Sequence, residues 1–395
     1  MKLIKLSDIK LTKSFNKNSN VKIISTQLLN SILSIELPIK NKEIFISNVV
    51  EFLDYLNEKM EHEYLTAFTI SVDIFIKYFS RDKYKQYLQI LKDFEILTNI
   101  SHENGVWYDK DEGITKKYRV HNSYLNNTDF TLVIFEDKKT KIKNDIKIKV
   151  DSKYEKTILT ETLDYYEVFK NEIEYHKENN TTTFSLYSRL SRALSLNKKR
   201  YIKKGEKVDR IYHSFSNLSK VTRKCFKTKY SNIDLDNSQP TFLCVYLKIN
   251  NIDFETYYQE VCENGKFYEL FYDIYKKEFT DEKLLRKKVK NVIYKSFLFD
   301  FVENRKVTKR LKELFPKVWQ ALKDLKQKQN ETLASNLQNI EAKLFNNINV
   351  TYSTKYFTLF DAIYFNNKKD KLNIIKQIKN FGKECGIKFS LSIED

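Results

Sequence analysis

The segment Ile233–Pro240, with the sequence IDLDNSQP, restricts the possible folds more than any other part of the chain. Its alternating apolar residues predict a β-strand that ends at a polar turn and carries the carboxylate of Asp234. Pro240 then predicts the first turn of a helix, where the N–H that proline lacks would have no partner. Because Lys and Arg residues precede this unit, it suits the binding of a cation together with a phosphate. A capped turn without chemistry is the alternative.

The charge of the chain indicates a polyanionic partner. The 395 residues carry a formal net charge of +18, which favours nucleic acid or an anionic membrane surface. No stretch is apolar enough to predict a membrane span or a signal peptide, so we expect nucleic acid and no membrane. An AT-rich genome that inflates lysine content is the other explanation of the charge.

Few residues are available for flexible linkers or for transition-metal sites. With six glycines and three prolines, we expect two or three domains that abut through helices. The four cysteines and five histidines are scattered and show no metal-ligand spacing, which excludes a zinc site and a disulfide framework and favours a reducing cytoplasm. Residues 1–60 contain no motif that we can interpret.

Residues 61–150 are expected to form a domain of their own, with a charged connector at the end. Two segments with helical periodicity, ISVDIFIKYF and YKQYLQILKDFEIL, precede a short strand, a polar loop and the strand KKYRV. This order of elements resembles the winged-helix domains of plasmid and phage replication proteins, which implies binding of a DNA duplex or junction through Tyr84–Phe94 and Lys116–Arg119. A protein-binding winged helix is the alternative, and Trp107 and Tyr108 are expected to pack within the wing.

The remainder, residues 151–395, mixes helices and strands and predicts an α+β domain. Helices are expected from Asp281, from Pro316 and over ETLASNLQNIEAKLFNNI, followed by a strand-like run with Asp361 in its middle. Asp234 and Asp361 each interrupt an apolar run, which is costly unless the charge is paired or binds a metal. Two metal ions held by two aspartates suit in-line phosphoryl transfer, and Mg²⁺ (or Mn²⁺) suits such a site.

Arg286, Lys290 and Tyr294 are spaced by four residues and therefore share one face of a helix. Two cations followed by an aromatic ring can hold a triphosphate and stack on its base. A solvated basic helix face is the alternative for this spacing alone.

The order and spacing of these motifs resemble the palm and fingers of family A DNA polymerases and of the single-subunit phage RNA polymerases. RKKVKNVIY matches the fingers-helix pattern R-x-x-x-K-x-x-x-(F/Y), which implies that Arg286 and Lys290 hold the triphosphate and that Tyr294 stacks on the incoming nucleotide. IDLDNSQPTFL is similar to the first catalytic motif, which implies metal binding by Asp234 and by the carbonyl of Leu235.

Three further matches concern the second aspartate and the nucleic acid. FDAIYF is similar to the second catalytic motif, with Asp361 as the other metal ligand. DRIYHSFSNLSK is similar to the segment that touches the primer–template minor groove, which implies contacts by Arg210 and Asn217. Gln338 falls where the family has a template-contacting glutamine.

The resemblance covers residues 158–395 and implies a right-hand polymerase preceded by the winged-helix domain. Its thumb-like part would be 151–205, its palm 206–250 and 346–395, and its fingers 251–345. It implies a DNA polymerase-like nucleotidyltransferase for DNA replication that uses nucleoside triphosphates, Mg²⁺ (or Mn²⁺) and a primer–template. A phage or mobile-element origin and action in the cytoplasm of a bacterial host are expected.

Several positions depart from the family pattern. Phe360 stands where the family has histidine, Gln239 where it has the glutamate that excludes ribose 2′-hydroxyls, and Leu298 where it has tyrosine. Gln239 is therefore the nucleotide-binding residue on which sugar choice depends, and that choice stays open. Asp236 is a rival of Asp234 for the metal.

Two other functions stay open. One is a non-catalytic DNA-binding replication initiator or regulator with a degenerate polymerase body, which Phe360 and Leu298 favour. The other is an RNA polymerase, primase or untemplated nucleotidyl transferase. No carboxylate motif of a proofreading exonuclease is present in the N-terminal part.

Overall fold

A computed structural model gives the fold of the chain. It describes residues 2–5, 20–36, 42, 44–53, 55, 68–69, 72–99, 117–120, 130–135, 143–179, 181, 183–197, 199–279, 281–298, 302–303, 305–328, 332–351 and 353–395. In these residues helices predominate and the strands form small antiparallel sheets, so the α+β class expected from the sequence is confirmed. No helix among them is long and apolar enough to cross a membrane.

The elements of the first half are, in chain order, β1 (Lys2–Lys5), β2 (Asn20–Ser25), α1 (Thr26–Ser34), α2 (44–53), β3 (Phe68–Thr69), α3 (Val72–Phe79), α4 (Tyr84–Asp93), β4 (Leu97–Asn99), β5 (Lys117–Val120), β6 (Phe130–Phe135), β7 (Lys143–Ile146), α5 (Ser152–Thr160), α6 (Tyr165–Asn179) and α7 (Thr183–Ser195). Those of the second half are β8 (Lys199–Lys204), β9 (Ile211–His213), α8 (Lys220–Arg223), β10 (Ser231–Leu235), α9 (Ser238–Ile249), α10 (Thr256–Glu263), α11 (Tyr272–Tyr275), α12 (Glu282–Ile293), α13 (Lys306–Leu314), α14 (Pro316–Lys328), α15 (Thr332–Asn346), β11 (Tyr356–Leu359), β12 (Ala362–Phe365), α16 (Lys371–Glu384) and β13 (Leu391–Glu394).

The chain folds as two compact units, each built from several segments. The N-terminal unit comprises Met1–Asn144, Thr162–Arg200 and Asn217–Lys227. The C-terminal unit comprises Asp145–Glu161, Tyr201–Ser216 and Thr228–Asp395. The predicted thumb-like part, 151–205, therefore contributes residues to both units.

The N-terminal unit contains two small sheets, with strand orders β1-β6-β2 and β3-β5-β4. In the first sheet, β6 lies in the middle and pairs with β1 on one edge and with β2 on the other. Both β1 and β2 come from residues 1–60, where the sequence shows no motif. The helices α3 and α4 and the strands β4 and β5 occur where the sequence predicts them. Trp107, Tyr108 and the rest of the predicted wing loop lie outside the described residues.

A buried carboxylate joins three helices of this unit. Glu172 of α6 is fully buried and accepts hydrogen bonds from Arg189 of α7 and from Ser219 and Thr222 around α8. The Arg189 Nε and Thr222 Oγ1 atoms each lie 2.6 Å from it. Because buried charges are costly unless paired and hydrogen-bonded, this cluster ties α6, α7 and α8 together.

The C-terminal unit is organised around a four-stranded antiparallel sheet with the order β11-β12-β10-β13. The central strand β10 alternates buried and half-buried residues, so Ile233 and Leu235 face the core while Asp234 lies on the other face. The turn after β10 places Asn237 in the left-handed region, at φ 50°, and α9 begins at Ser238. Pro240 therefore lies in the first turn of α9, as predicted.

The prediction that Asp361 lies in the middle of a strand is wrong. Leu359 pairs with Ala362, so Phe360 and Asp361 form the two-residue turn of a hairpin between β11 and β12. Phe360 has φ 54°, which is strained for a bulky side chain. Since glycine or asparagine normally marks such turns, the sequence Phe-Asp gives no turn signal.

Two further helices of this unit begin where the sequence places them. Asp281 caps α12, with its Oδ1 accepting from the Leu284 N–H at 2.8 Å, and α14 begins at Pro316. At its C-terminal end α12 continues into a π-helical turn, Tyr294–Leu298. Such turns are rare and occur frequently at functional sites.

Candidate active site

The two aspartates that the sequence singles out lie at one end of the four-stranded sheet, Asp234 on β10 and Asp361 in the turn between β11 and β12. Asp234, near the end of β10, pairs with Ala362, the residue that follows Asp361. The N–H of Leu235 donates to the carbonyl of Asp361 at 3.0 Å. Because paired strands lie only about 4.8 Å apart, this pairing brings the main chains of the two half-buried aspartates close together.

Helix α9 holds the second of these carboxylates. The Oγ atom of Ser238, at the start of α9, donates to Oδ2 of Asp361 at 2.6 Å. The strand–turn–helix unit thus carries one aspartate on its strand and fixes the other through its helix.

Asp236 is not equivalent to Asp234. Its two carboxylate oxygens accept hydrogen bonds from Ser390 Oγ at 2.8 Å and Ser392 Oγ at 2.7 Å, and its N–H donates to the Ser390 carbonyl. Asp236 therefore anchors β13 to the end of β10, which makes it the weaker candidate for a metal ligand.

Three of the predicted nucleotide-binding residues lie on α12 and on the π-helical turn that continues it: Arg286, Lys290 and Tyr294. Lys290 Nζ lies 5.5 Å from the centre of the Tyr294 ring, and the Tyr268 hydroxyl donates to the Tyr294 hydroxyl at 3.3 Å. Burial lowers the pKa of Lys290, but Tyr294 and the charges of Asp361 and Asp234 outweigh it and raise the pKa. Lys290 is therefore a cation within electrostatic reach of both aspartates.

The guanidinium of Arg286 is held by neighbours in this structure. It donates to Glu269 Oε1 and, at 3.1 Å, to Asn237 Oδ1, and it lies 5.2 Å from the centre of the Tyr268 ring. Arg286 thus connects α12 to the turn that follows Asp234.

A buried polar group lies beside the hairpin turn. Glu341 of α15, with 1% of its surface exposed, accepts from Arg210 Nη2 at 2.7 Å and from Gln239 Nε2 at 3.0 Å, both at Oε2. The Arg210 guanidinium also lies 5.2 Å from the centre of the Phe360 ring. We name Arg210, Gln239 and Glu341 the buried triad.

Burial raises the pKa of Glu341 to about 7, although the ion pair with Arg210 acts in the opposite direction. The nearby charge of Asp361 also raises this pKa. Loss of hydration therefore outweighs the cation, as expected for a carboxyl with almost no solvent contact.

The two other residues predicted to contact nucleic acid are Gln338 and Asn217. Gln338 is half-buried on α15, one turn before Glu341. Asn217 belongs to the N-terminal unit, where its carbonyl accepts from Arg192 Nη1 at 3.2 Å. Their contacts with nucleic acid stay predictions, as does metal binding by the Leu235 carbonyl.

Three residues of the site were missed from the sequence: Ser238, Glu269 and Glu341. Ser238 stands inside the motif and could have been found as the residue that follows the turn. Glu269 stands in an aromatic-rich stretch (KFYELFY) and Glu341 in a mixed helical one (QNIEAKLF), and a glutamate most often faces solvent. No local pattern distinguishes them.

The acidic residues fit a magnesium ion better than a transition metal. In the described part of the chain, no three His, Cys, Asp or Glu side chains form a group that could hold a metal. Mg²⁺ commonly takes one or two carboxylates and completes its shell with water and substrate phosphates. Asp234 and Asp361 are the two carboxylates that would belong to such a shell.

The sequence matches no known protein-family model, and no match is found among proteins of curated function.

Proposed function

We propose that this protein is a template-directed nucleotidyltransferase of family A polymerase type, with palm and fingers in the C-terminal unit. The observation that carries the proposal is the bond from the Leu235 N–H to the Asp361 carbonyl, which holds the end of the strand that bears Asp234 against the turn that bears Asp361, with Lys290 in electrostatic reach of both aspartates. Carboxylates on one side and cations with an aromatic ring on the other are what a metal-bound nucleoside triphosphate requires.

The reaction joins a primer 3′-oxygen to the α-phosphorus of a nucleotide and breaks the bond to pyrophosphate. Mg²⁺ held by Asp234 and Asp361 would activate the 3′-hydroxyl and neutralise charge on the phosphates. Lys290, and Arg286 once released from Glu269, would hold the triphosphate in line. Tyr294, whose ring lies beside Lys290, would stack on the base.

The N-terminal unit supports a role in nucleic-acid placement. Its helices α3 and α4 and the sheet β3-β5-β4 are compatible with part of a winged helix. We propose that this part binds duplex DNA, which agrees with the net charge of +18. Action in the cytoplasm of a bacterial host, for a phage or mobile element, belongs to the same proposal.

The decisive experiment is extension of a labelled primer with Mg²⁺. Four deoxynucleotides or four ribonucleotides would be supplied, each with and without template. We expect template-dependent incorporation that is lost in both Asp234→Ala and Asp361→Ala. Normal extension by both variants would refute the proposal, and incorporation without template would identify an untemplated transferase.

One observation favours a second function, a DNA-binding initiator or regulator without catalysis. Arg286, which a polymerase uses on the triphosphate, is engaged by Glu269 and Asn237. Such a protein would bind DNA with a steep salt dependence and incorporate no nucleotide under any metal condition.

A further inference from the structure

When Glu341 is drawn as an ionised carboxylate, two oxygens of the buried triad have no hydrogen-bond donor among the described residues. Gln239 and Glu341 already share one hydrogen bond, from Gln239 Nε2 to Glu341 Oε2. The other oxygens of the same two groups, Gln239 Oε1 and Glu341 Oε1, are both buried and lack a hydrogen-bond partner among the described residues. A buried acceptor without a donor costs about 1–3 kcal/mol, so two in one pair need an explanation.

Turning the Gln239 amide does not remove the problem. An ionised carboxylate has two acceptors and no donor, whereas the amide offers one N–H₂ group and one oxygen. In either orientation of the amide, the pair has one N–H₂ group for three oxygens, so at least one buried oxygen has no donor within the pair. The missing component is therefore a proton.

We propose that Glu341 is a neutral carboxylic acid that closes a ring of two hydrogen bonds with the Gln239 amide and thereby leaves Arg210 positively charged toward nucleic acid. In this ring Gln239 Nε2–H donates to Glu341 Oε2, and Glu341 Oε1–H donates to Gln239 Oε1. Both unsatisfied oxygens are then used.

The charges that face Glu341 come from two other elements. Arg210, which precedes β9, donates to Oε2, and Asp361, in the hairpin turn, acts on the carboxyl from a distance. The arginine favours the ionised form, while the aspartate and burial favour the neutral form. Burial raises the pKa of Glu341 to about 7, so the neutral form prevails below neutral pH.

The protonation of Glu341 determines the net charge beside the hairpin. With the acid neutral, Arg210 has no buried counter-charge and its positive charge is available to a phosphate. When the proton leaves to solvent, the carboxylate neutralises Arg210 and two acceptors oppose each other in the ring. Glu341 is then a positioning residue for Arg210 and Gln239, and its importance for polymerisation rests on the proposed function.

The proton itself can be observed without any enzymatic activity. In full-length protein, infrared or carbon NMR titration of glutamate carboxyls is expected to show one group with a midpoint near 7. The signal should be absent from Glu341→Gln. A Glu341 signal that titrates in the ordinary glutamate range would overturn the proposal.

Glu341→Gln is the matched variant, because its amide donates and accepts like the protonated acid but cannot ionise. Binding of a short labelled DNA duplex, without metal, would be measured on either side of neutral pH at constant salt. We expect wild-type affinity to fall several-fold as pH rises, and Glu341→Gln to stay at the tighter value throughout. Equal pH dependence in the two proteins would contradict the role assigned to Arg210.

The two proposals can fail separately. If the titration appears but no nucleotide is incorporated, the proposed function is wrong and the protonated Glu341 stands. If nucleotides are incorporated and Glu341 titrates like an exposed glutamate, this inference is wrong. Thermal unfolding of Glu341→Gln would verify that the variant is folded.

Discussion

The main-chain N–H of Leu235 donates to the carbonyl of Asp361 across 126 positions of the sequence, at 3.0 Å. This bond fixes the end of β10 against the hairpin turn, and it determines how far apart the two candidate metal ligands can lie. The backbone pairing, more than any side-chain contact, sets the spacing of Asp234 and Asp361.

Removal of either carboxylate should abolish nucleotide incorporation. Asp234→Ala and Asp361→Ala are each expected to lower the rate of primer extension by at least about 100-fold, since loss of even an outer-shell partner costs 10–100-fold at metal sites. Gel-based extension assays would measure the rate. Asp253→Ala, which removes an exposed carboxylate paired with Lys317, is the control and should extend primers normally.

Lys290 should be required for triphosphate binding, whereas its exposed neighbour should not. Lys290→Met removes the cation within reach of Asp234 and Asp361 and is expected to raise the KM for nucleotide more than tenfold, or about 1.4 kcal/mol. Lys287 lies on the exposed face of the same helix, so Lys287→Met is the matched control. Similar effects of the two substitutions would show that α12 acts only as a basic surface.

Stability should depend on pH through Glu341. Its pKa is raised in the folded protein to about 7, so between the ordinary glutamate range and neutrality the folded state retains a proton that the unfolded state has lost. The free energy of unfolding of the wild type is therefore expected to fall as pH rises through this interval. Urea unfolding of wild type and Glu341→Gln would measure it, and the difference between them should grow with pH. A constant difference would argue against the shift.

Gly265 should tolerate no side chain. Its φ is +70°, and an added Cβ would lie 2.8 Å from Ser390 Oγ and 3.3 Å from the Asp236 Cβ. Gly265→Ala is therefore expected to cost at least about 1 kcal/mol and to loosen the contact of β13 with Asp236. Thermal unfolding would measure the loss. Adding Ser390→Ala should relieve the clash and leave the backbone cost, so the double variant should lose less than the sum of the two single variants.

The cluster around Glu172 should stabilise the N-terminal unit. Glu172→Ala leaves Arg189 with a side chain that is 12% exposed and no carboxylate, which is expected to cost about 3–5 kcal/mol. Glu174 lies on the exposed face of the same helix, and Glu174→Ala should change stability little. Comparable losses in the two variants would mean that the helix, and not the buried ion pair, is what matters.

The sequence predicted those parts of the fold that local signals encode. Pro240, Asp281 and Pro316 mark helix starts through chemistry that acts within one turn. The spacing of Arg286, Lys290 and Tyr294 likewise gave their common helix face. The α+β class followed from the same local patterns.

Features that depend on distant pairing could not be obtained in this way. Asp361 lies in a turn because β11 and β12 pair on both sides of it, and Phe360 gives no local sign of the positive φ that the turn requires. Glu341 becomes a buried acid only when Arg210 and Gln239, far away in the sequence, pack against α15. Both features depend on tertiary structure.

The position of β10 in its sheet has a consequence for the timing of assembly. This strand is flanked by β12 and β13, so the carboxylate of Asp234 is framed by residues made more than a hundred positions later. During synthesis, Asp234 and the helix α9 leave the ribosome long before either neighbouring strand exists. The two carboxylates therefore cannot meet until β12 has emerged, and the other side of β10 stays open until β13 follows it.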